Sequence, residues 1–244
     1  MRNPFQNNKR KFRALESKID FLESALETYF ASPVYIDSDE VGFNGQMIRK
    51  KIVNELFKNF SFEAIIETGT YTGNTTGYLA KSTSCPIFSC ESSRLLSAIA
   101  KRRLFGIENI NCYVMDSRDF LNSLAKNEVS RKNVFIYLDA HGYDDLPLKQ
   151  EIEIICRIWK EFVIMIDDFQ VPGDAGYGYD SYEGNQVLSI NNFLPVFIQN
   201  GLIPFFPALP SSKETGAKQG SVVLIRNGTE MQIGKCSLLK KYQP

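Results

Sequence analysis

Paired cysteines, surplus charge and long apolar runs are all missing from this chain. Its five cysteines, Cys85, Cys90, Cys112, Cys156 and Cys236, are odd in number, and no two form a C-x-x-C pair. That excludes a disulfide framework and a cysteine-rich zinc site, and it points to reduced, mostly buried thiols in a reducing compartment. Lys+Arg and Asp+Glu are both 28, so no global electrostatic drive toward nucleic acid or anionic membrane exists. The first residues, Met1-Arg-Asn-Pro-Phe-Gln-Asn-Asn-Lys-Arg-Lys11, lack the apolar core of a signal peptide, and no later run approaches a membrane span. The expectation is a soluble, cytoplasmic protein with neither nucleic-acid nor membrane partners. At 244 residues the chain suits one α/β domain with appendages, large enough to bury a core without a disulfide or metal.

What is present is a stretch that organises the rest: Phe62-Glu-Ala-Ile-Ile-Glu-Thr-Gly-Thr-Tyr-Thr-Gly-Asn-Thr-Thr-Gly77. The run Ala64-Ile65-Ile66 suits a strand buried on both faces, Gly69 permits a tight turn, and Asn74-Thr75-Thr76 start a helix. Gly73 is expected to allow close approach of a ligand, and the free N–H groups of the helix favour an anionic or carboxylate-bearing small molecule. A dinucleotide fingerprint wants Gly-x-Gly-x-x-Gly, whereas these glycines fall at 69, 73 and 77 behind Glu67, which disfavours a dinucleotide-dependent oxidoreductase.

This acid-x-Gly-x-x-x-Gly pattern resembles motif I of the class I S-adenosylmethionine (SAM) methyltransferases, whose turn holds the methionine part of the cofactor. The resemblance implies that Glu67, Gly69, Thr70, Tyr71, Gly73 and Thr75 surround SAM. Pro86-Ile-Phe-Ser-Cys-Glu91 reads as a second strand ending in an acid, and a carboxylate at that tip accepts hydrogen bonds from both ribose hydroxyls. Its other role would be to cap the helix beginning at Ser92-Ser93. Ile110 to Met115 makes a third strand running into Asp116-Ser117, which the resemblance sets beside the adenine; Asp116 also suits a helix cap.

Val134 to Leu138 and Phe162 to Ile166 are the fourth and fifth strands, ending in Asp139-Ala-His141 and Asp167-Asp168. Glu151, Ile152, Ile154, Ile155, Ile158 and Trp159 mark the helix between them. Strand–helix alternation calls for a parallel sheet with right-handed crossovers, which brings all these strand tips to one rim. Asp139, Asp167 and Asp168, crowded there, would repel unless protonated or bridged by a hard divalent ion such as Mg²⁺. The acid at the fourth tip with a paired Asp-Asp at the fifth, within residues 62–170, resembles the metal-dependent O-methyltransferases that act on sugar hydroxyls in macrolide and aminocoumarin tailoring. That resemblance implies metal ligands at Asp139, Asp167 and Asp168, places Asp139 also beside SAM, and sets a general base at His141. An imidazole with its ordinary pKa near 6.5 suits proton abstraction near neutral pH. Its other reading is a hydrogen bond to a loop carbonyl, and that of the Asp-Asp pair is a helix cap or salt bridge.

Around this core, Phe12, Leu15, Ile19, Leu22, Leu26 and Tyr29 describe an amphipathic N-terminal helix that packs on its own domain or on a second copy. Lys9-Arg10-Lys11 is its solvated start, and Pro33 and Asp37 to Glu40 mark a linker. Met47, Ile48, Ile52, Val53, Leu56 and Phe57 give a second helix that covers the sheet edge, and the resemblance implies that Phe43 to Gln46 before it also lid the cofactor. Val171 to Asp180 is a Gly/Tyr/Asp loop suited to a sugar, or an ordinary connector. Gly201 to Phe206 and Gly220 to Ile225 form a closing antiparallel pair, and the tail beyond Asn227 carries no signal. The expected architecture is residues 1–40 as helix and linker, then residues 41–244 as a Rossmann-like, doubly wound, mostly parallel seven-stranded sheet. The expected activity is SAM-dependent, divalent-metal-assisted O-methylation of a hydroxyl on a sugar or small polyol-bearing metabolite. The alternatives are a metal-independent methyltransferase and a non-catalytic SAM-fold partner module.

Overall fold

The computed structural model describes residues 15–24, 38–142, 145–182, 186–228 and 230–243. The chain divides into two compact units, Met1–Ile36 and Asp37–Pro244. In the first, residues 15–24 are helical. Lys9-Arg10-Lys11, Phe12, Leu26, Tyr29, Pro33 and Asp37 lie outside the described residues. No helix among the described residues is long and apolar enough to cross a membrane.

The second unit alternates strand and helix. Helix α1 (Met47–Asn59) leads into β1 (Ala64–Thr68), followed by α2 (Asn74–Ser82), β2 (Ile87–Glu91), α3 (Arg94–Arg103) and β3 (Ile110–Val114). Then come α4 (Ser117–Leu124), β4 (Val134–Leu138), α5 (Leu148–Ile158), β5 (Phe162–Ile166), α6 (Ile190–Gln199), β6 (Leu202–Pro207), β7 (Val222–Arg226) and β8 (Leu239–Lys241). The sheet order is β8-β6-β7-β5-β4-β1-β2-β3. β1 to β5 are parallel, and β7 runs antiparallel between β5 and β6. The expected parallel sheet with its antiparallel pair is therefore present, with eight strands rather than seven. The extra strand comes from the tail, where Lys240 and Lys241 pair with Phe206 and Phe205.

The central strands are apolar on both faces because helices cover both. Side chains alternate along each strand, so Ile65, Phe135 and Val163 pack under α1 and α2, with Ile52, Leu56 and Leu79. Ile66, Ile136 and Ile164 face the opposite layer, against Leu121, Ile152, Ile155 and Phe197 of α4, α5 and α6. Each fully buried aliphatic side chain of this kind contributes about 1.5–3 kcal/mol. Register sets the rim: Thr68 pairs with Leu138 and Leu138 with Ile166, so Gly69, Asp139 and Asp167 leave neighbouring strands at one level.

α1 lacks a side-chain cap of its own, and Glu214 supplies one from a distant loop. Its Oε1 accepts from the Ile48 amide at 2.8 Å and its Oε2 from the Arg49 amide at 3.2 Å, meeting the orphan N–H groups and the positive end of the helix. The preceding segment holds two consecutive left-handed non-glycine residues, Phe43 (φ 51°) and Asn44 (φ 54°). Phe43 is fully buried, edge-on to Tyr78 and Tyr137, and its amide donates to Thr75 Oγ1 at 3.2 Å. Phe43 is thus a core residue packed on the central strand β4.

The loop after β5 is packed. Tyr177 is buried with its hydroxyl donating to the Leu209 carbonyl at 3.3 Å, and Asp174 accepts from the Ser211 amide and hydroxyl at 2.7 and 2.6 Å.

Candidate functional site

β1 ends at Thr68, and the chain turns through Gly69 (φ 87°), Tyr71 (φ 49°) and Gly73 (φ 85°) into α2. Gly69 is required twice over: its φ is left-handed, and a Cβ there would stand 2.2 Å from the Asp139 carbonyl oxygen. At Gly73 (φ 85°) a Cβ would meet Leu104 of the α3 end at 3.1 Å, so close packing of the turn against α3 itself asks for glycine here.

Four other residues expected around the cofactor stand behind the turn or in it. Glu67 is fully buried; its Oε2 accepts from the hydroxyls of Thr76 and Ser89, both at 2.5 Å, and burial lifts its carboxyl to about 7. Thr70 shares a 2.6 Å hydrogen bond with Ser89, and Thr75 is taken by Phe43. These residues hold the turn in shape. Tyr71, by contrast, is 57% exposed on the rim.

A cleft of about 440 Å³ runs along the strand tips, lined by Gly69, Tyr71, Glu91, Asp116, Ser117, Asp139 and His141. Glu91 accepts from the Tyr71 amide at 2.9 Å and the Ser93 amide at 2.8 Å, one on each oxygen. Each oxygen keeps a lone pair, so the carboxylate can accept two further hydrogen bonds. Asp116 caps α4 and is gripped by Arg118, whose guanidinium holds its carboxyl below the usual range. Leu96, Met115 and Pro147 supply apolar walls that the sequence reading did not single out.

Two of these lining residues, Asp139 and His141, come together with Asp168, each offering a ligand atom within 4.8 Å of the others. His141 Nε2 lies 3.9 Å from Asp139 Oδ1 and 3.7 Å from Asp168 Oδ2, too far for hydrogen bonds. Neither ring nitrogen has a hydrogen-bond partner among the described residues, nor does Asp168 Oδ1, although all three atoms are buried. Buried polar atoms are seldom left so, and donors spaced wider than a hydrogen bond fit a shared ion. Burial, then Asp167 and Asp168, push the Asp139 carboxyl well above the carboxylate range; burial and Asp167 raise Asp168 also. Burial lowers the imidazole of His141, but the carboxylates of Asp168 and Asp167 outweigh it and the net shift is upward.

Asp167, expected as the third ligand, is a correction. Its Oδ1 forms an ion pair with the fully buried Arg49 and its Oδ2 accepts from the Tyr137 hydroxyl, so the carboxylate is consumed within the fold. The salt-bridge reading of the pair holds for Asp167, and His141 completes the group with Asp168.

Three further residues carried no site role in the sequence. Arg49 shares a helix face with Ile52, Val53 and Leu56, a spacing that signals burial. Glu151, on the buried face of α5, has neither carboxylate oxygen in hydrogen-bond geometry among the described residues, and burial raises its pKa. Tyr182 stands edge-on to His141 with ring centroids 6.5 Å apart, and its hydroxyl donates to Asp180 at 3.2 Å.

No protein-family model matches the chain, and no curated protein sequence matches it. Solved structures do. A Streptomyces achromogenes O-methyltransferase, TomG, in complex with SAM, superposes with a TM-score of 0.57 at 14% identity, covering 85% of this chain and 89% of that one. An O-methyltransferase from Bacillus cereus in complex with S-adenosylhomocysteine (SAH) gives 0.55 at 16% identity, covering 84% and 90%.

Proposed function

On the class I SAM-dependent methyltransferase fold that this chain adopts, we propose a methyltransferase that transfers the SAM methyl group to a hydroxyl of a small polyol-bearing metabolite, with sugars the first class to test. The observation that supports this most is that one cleft is lined by Glu91 and by Asp139 and His141, the last two grouped with Asp168. Glu91 offers the two acceptors that a ribose diol needs, and Asp116 and Ser117 flank the place of the base. SAM supplies a methyl group already activated on a sulfonium, so the protein's task is collinear placement and removal of the acceptor's proton.

Asp139, Asp168 and His141 are the residues that would hold a divalent ion. Two carboxylates and an imidazole suit Mn²⁺ as well as Mg²⁺, and a bound cation lowers the pKa of a neighbouring hydroxyl. Asp180 and Tyr182 place polar and aromatic surface beside His141, as recognition of a hydroxylated ring requires. A second reading without a metal also has support. His141, flanked by Asp139 and Asp168, can take the acceptor's proton itself and be stabilised as imidazolium.

Calorimetric titration with SAH, with and without Mg²⁺ or Mn²⁺, followed by an acceptor screen reading SAH release, tests the proposal. SAH binding with metal-dependent turnover is expected. Turnover that survives chelator and is lost in His141→Ala favours the metal-free reading. SAH binding without turnover on any hydroxylated acceptor favours a partner module, and absence of SAH binding rejects the proposal.

A further inference from the structure

Arg49 belongs to α1, outside the strand tips, yet it is 1% exposed and aimed at the rim. Its guanidinium forms an ion pair with Asp167 Oδ1 and donates to the carbonyls of Gln219 at 2.5 Å and Gly220 at 2.9 Å. Burying a cation is expensive even when it is paired, and an apolar residue of similar size often serves stability as well. The position of this charge therefore calls for an account beyond stability.

The atom that Arg49 grips has a second duty. Asp167 Oδ1 also accepts from the Asp168 amide at 2.7 Å. Asp168 has φ 50°, a left-handed conformation that non-glycine residues adopt only when their surroundings impose it. Its carbonyl is held from the other side by the Asp180 amide at 2.9 Å. In that conformation the Asp168 carboxylate stands beside His141 instead of following Asp167 toward α1.

We propose that Arg49 is a positioning residue: by fixing Asp167 it imposes the backbone turn that presents the Asp168 carboxylate to Asp139 and His141. The inference rests on the reading of those three residues as a cation site. Gln46 and Gln219 extend the clamp, since the Gln46 side chain donates to the Gln219 carbonyl at 2.9 Å and accepts from its amide at 3.0 Å. The segment 46–49 thus braces a strand tip more than a hundred residues away in the chain.

The test is Mn²⁺ titration of the full chain saturated with SAH. It compares wild type, Arg49→Lys and the charge-neutral Arg49→Met/Asp167→Asn, which leaves no unpaired buried ion. The double variant is expected to bind SAH within twofold of wild type and Mn²⁺ at least tenfold more weakly. Arg49→Lys keeps the charge but loses the fork that reaches Asp167 and both carbonyls, and it should lose at least threefold in Mn²⁺ affinity. Unchanged Mn²⁺ affinity in a double variant that binds SAH overturns the proposal; if the double variant does not fold, unchanged affinity in Arg49→Lys does so. A wild type that binds SAH but no Mn²⁺ overturns the cation reading and this inference together. Mn²⁺ binding by wild type confines any failure to Arg49.

Discussion

Asp167 and Asp168 are consecutive in the chain and serve different partners: Asp167 is locked to Arg49 and Tyr137, Asp168 stands beside His141. Their substitutions should separate accordingly. Asp167→Asn leaves the Arg49 charge buried without its counter-ion, and a loss of about 3–5 kcal/mol in urea denaturation is expected. Asp168→Asn removes a carboxyl whose ionised form the fold already disfavours, so its unfolding free energy should stay within about 1 kcal/mol of wild type or rise. Equal destabilisation by the two would contradict this division.

Gly69 and Gly73 look equivalent in sequence and are not equivalent in space. Gly69→Ala drives a Cβ into the Asp139 carbonyl, with no flexible neighbour to yield, and should abolish SAH binding measured by calorimetry. Gly73→Ala presses on the end of the Leu104 side chain, which can shift, although its φ of 85° still costs about 1 kcal/mol. Loss of thermal stability with SAH binding retained is the expected result at 73.

Glu67 carries a pH signature. Its carboxyl, ordinarily near 4.5, is lifted to about 7 in the fold by burial. Between those values the folded state keeps a proton that the unfolded state has released, so this group's contribution to stability falls as pH rises and is lost above about 7. The fall amounts to about 3 kcal/mol. Glu67→Gln should flatten the stability–pH curve between pH 5 and 7 and leave the variant more stable than wild type at pH 8, as read by urea denaturation at each pH.

Glu91→Ala should weaken SAH binding at least tenfold while the melting temperature falls only modestly. The carboxylate stands in the cleft, and its structural bonds are those to the Tyr71 and Ser93 amides. Glu91→Gln keeps one acceptor oxygen and should fall between the two. A cofactor affinity indifferent to both changes would place the ribose elsewhere.

The strand order and the rim were legible because they follow from local pattern. Apolar runs such as Val134 to Leu138, alternating with helical pattern, read as buried strands, and β2, β3 and β4 lead into Glu91, Asp116 and Asp139, which line the cleft. The division of labour among rim residues was not legible. Whether a carboxylate at a strand tip meets solvent or a buried cation depends on what the opposite helix carries, and Arg49 lies 118 positions from Asp167. Its spacing from Ile52 and Leu56 marked it as inward-facing, but nothing local to Asp167 announced the partner. The packing of Gly73 against the end of α3 was hidden in the same way, since Leu104 lies 31 positions further on.

The last strand has a consequence for how the molecule behaves in company. β6 is apolar and, left bare, its outer backbone groups would invite another chain to pair with it. Leu239–Lys241 occupies that line of donors and acceptors and becomes the new margin, only three residues long and carrying two exposed lysines. A short, lysine-bearing margin is the kind of edge that discourages further strand pairing, so a tail that carried no signal in the sequence closes the sheet's apolar edge.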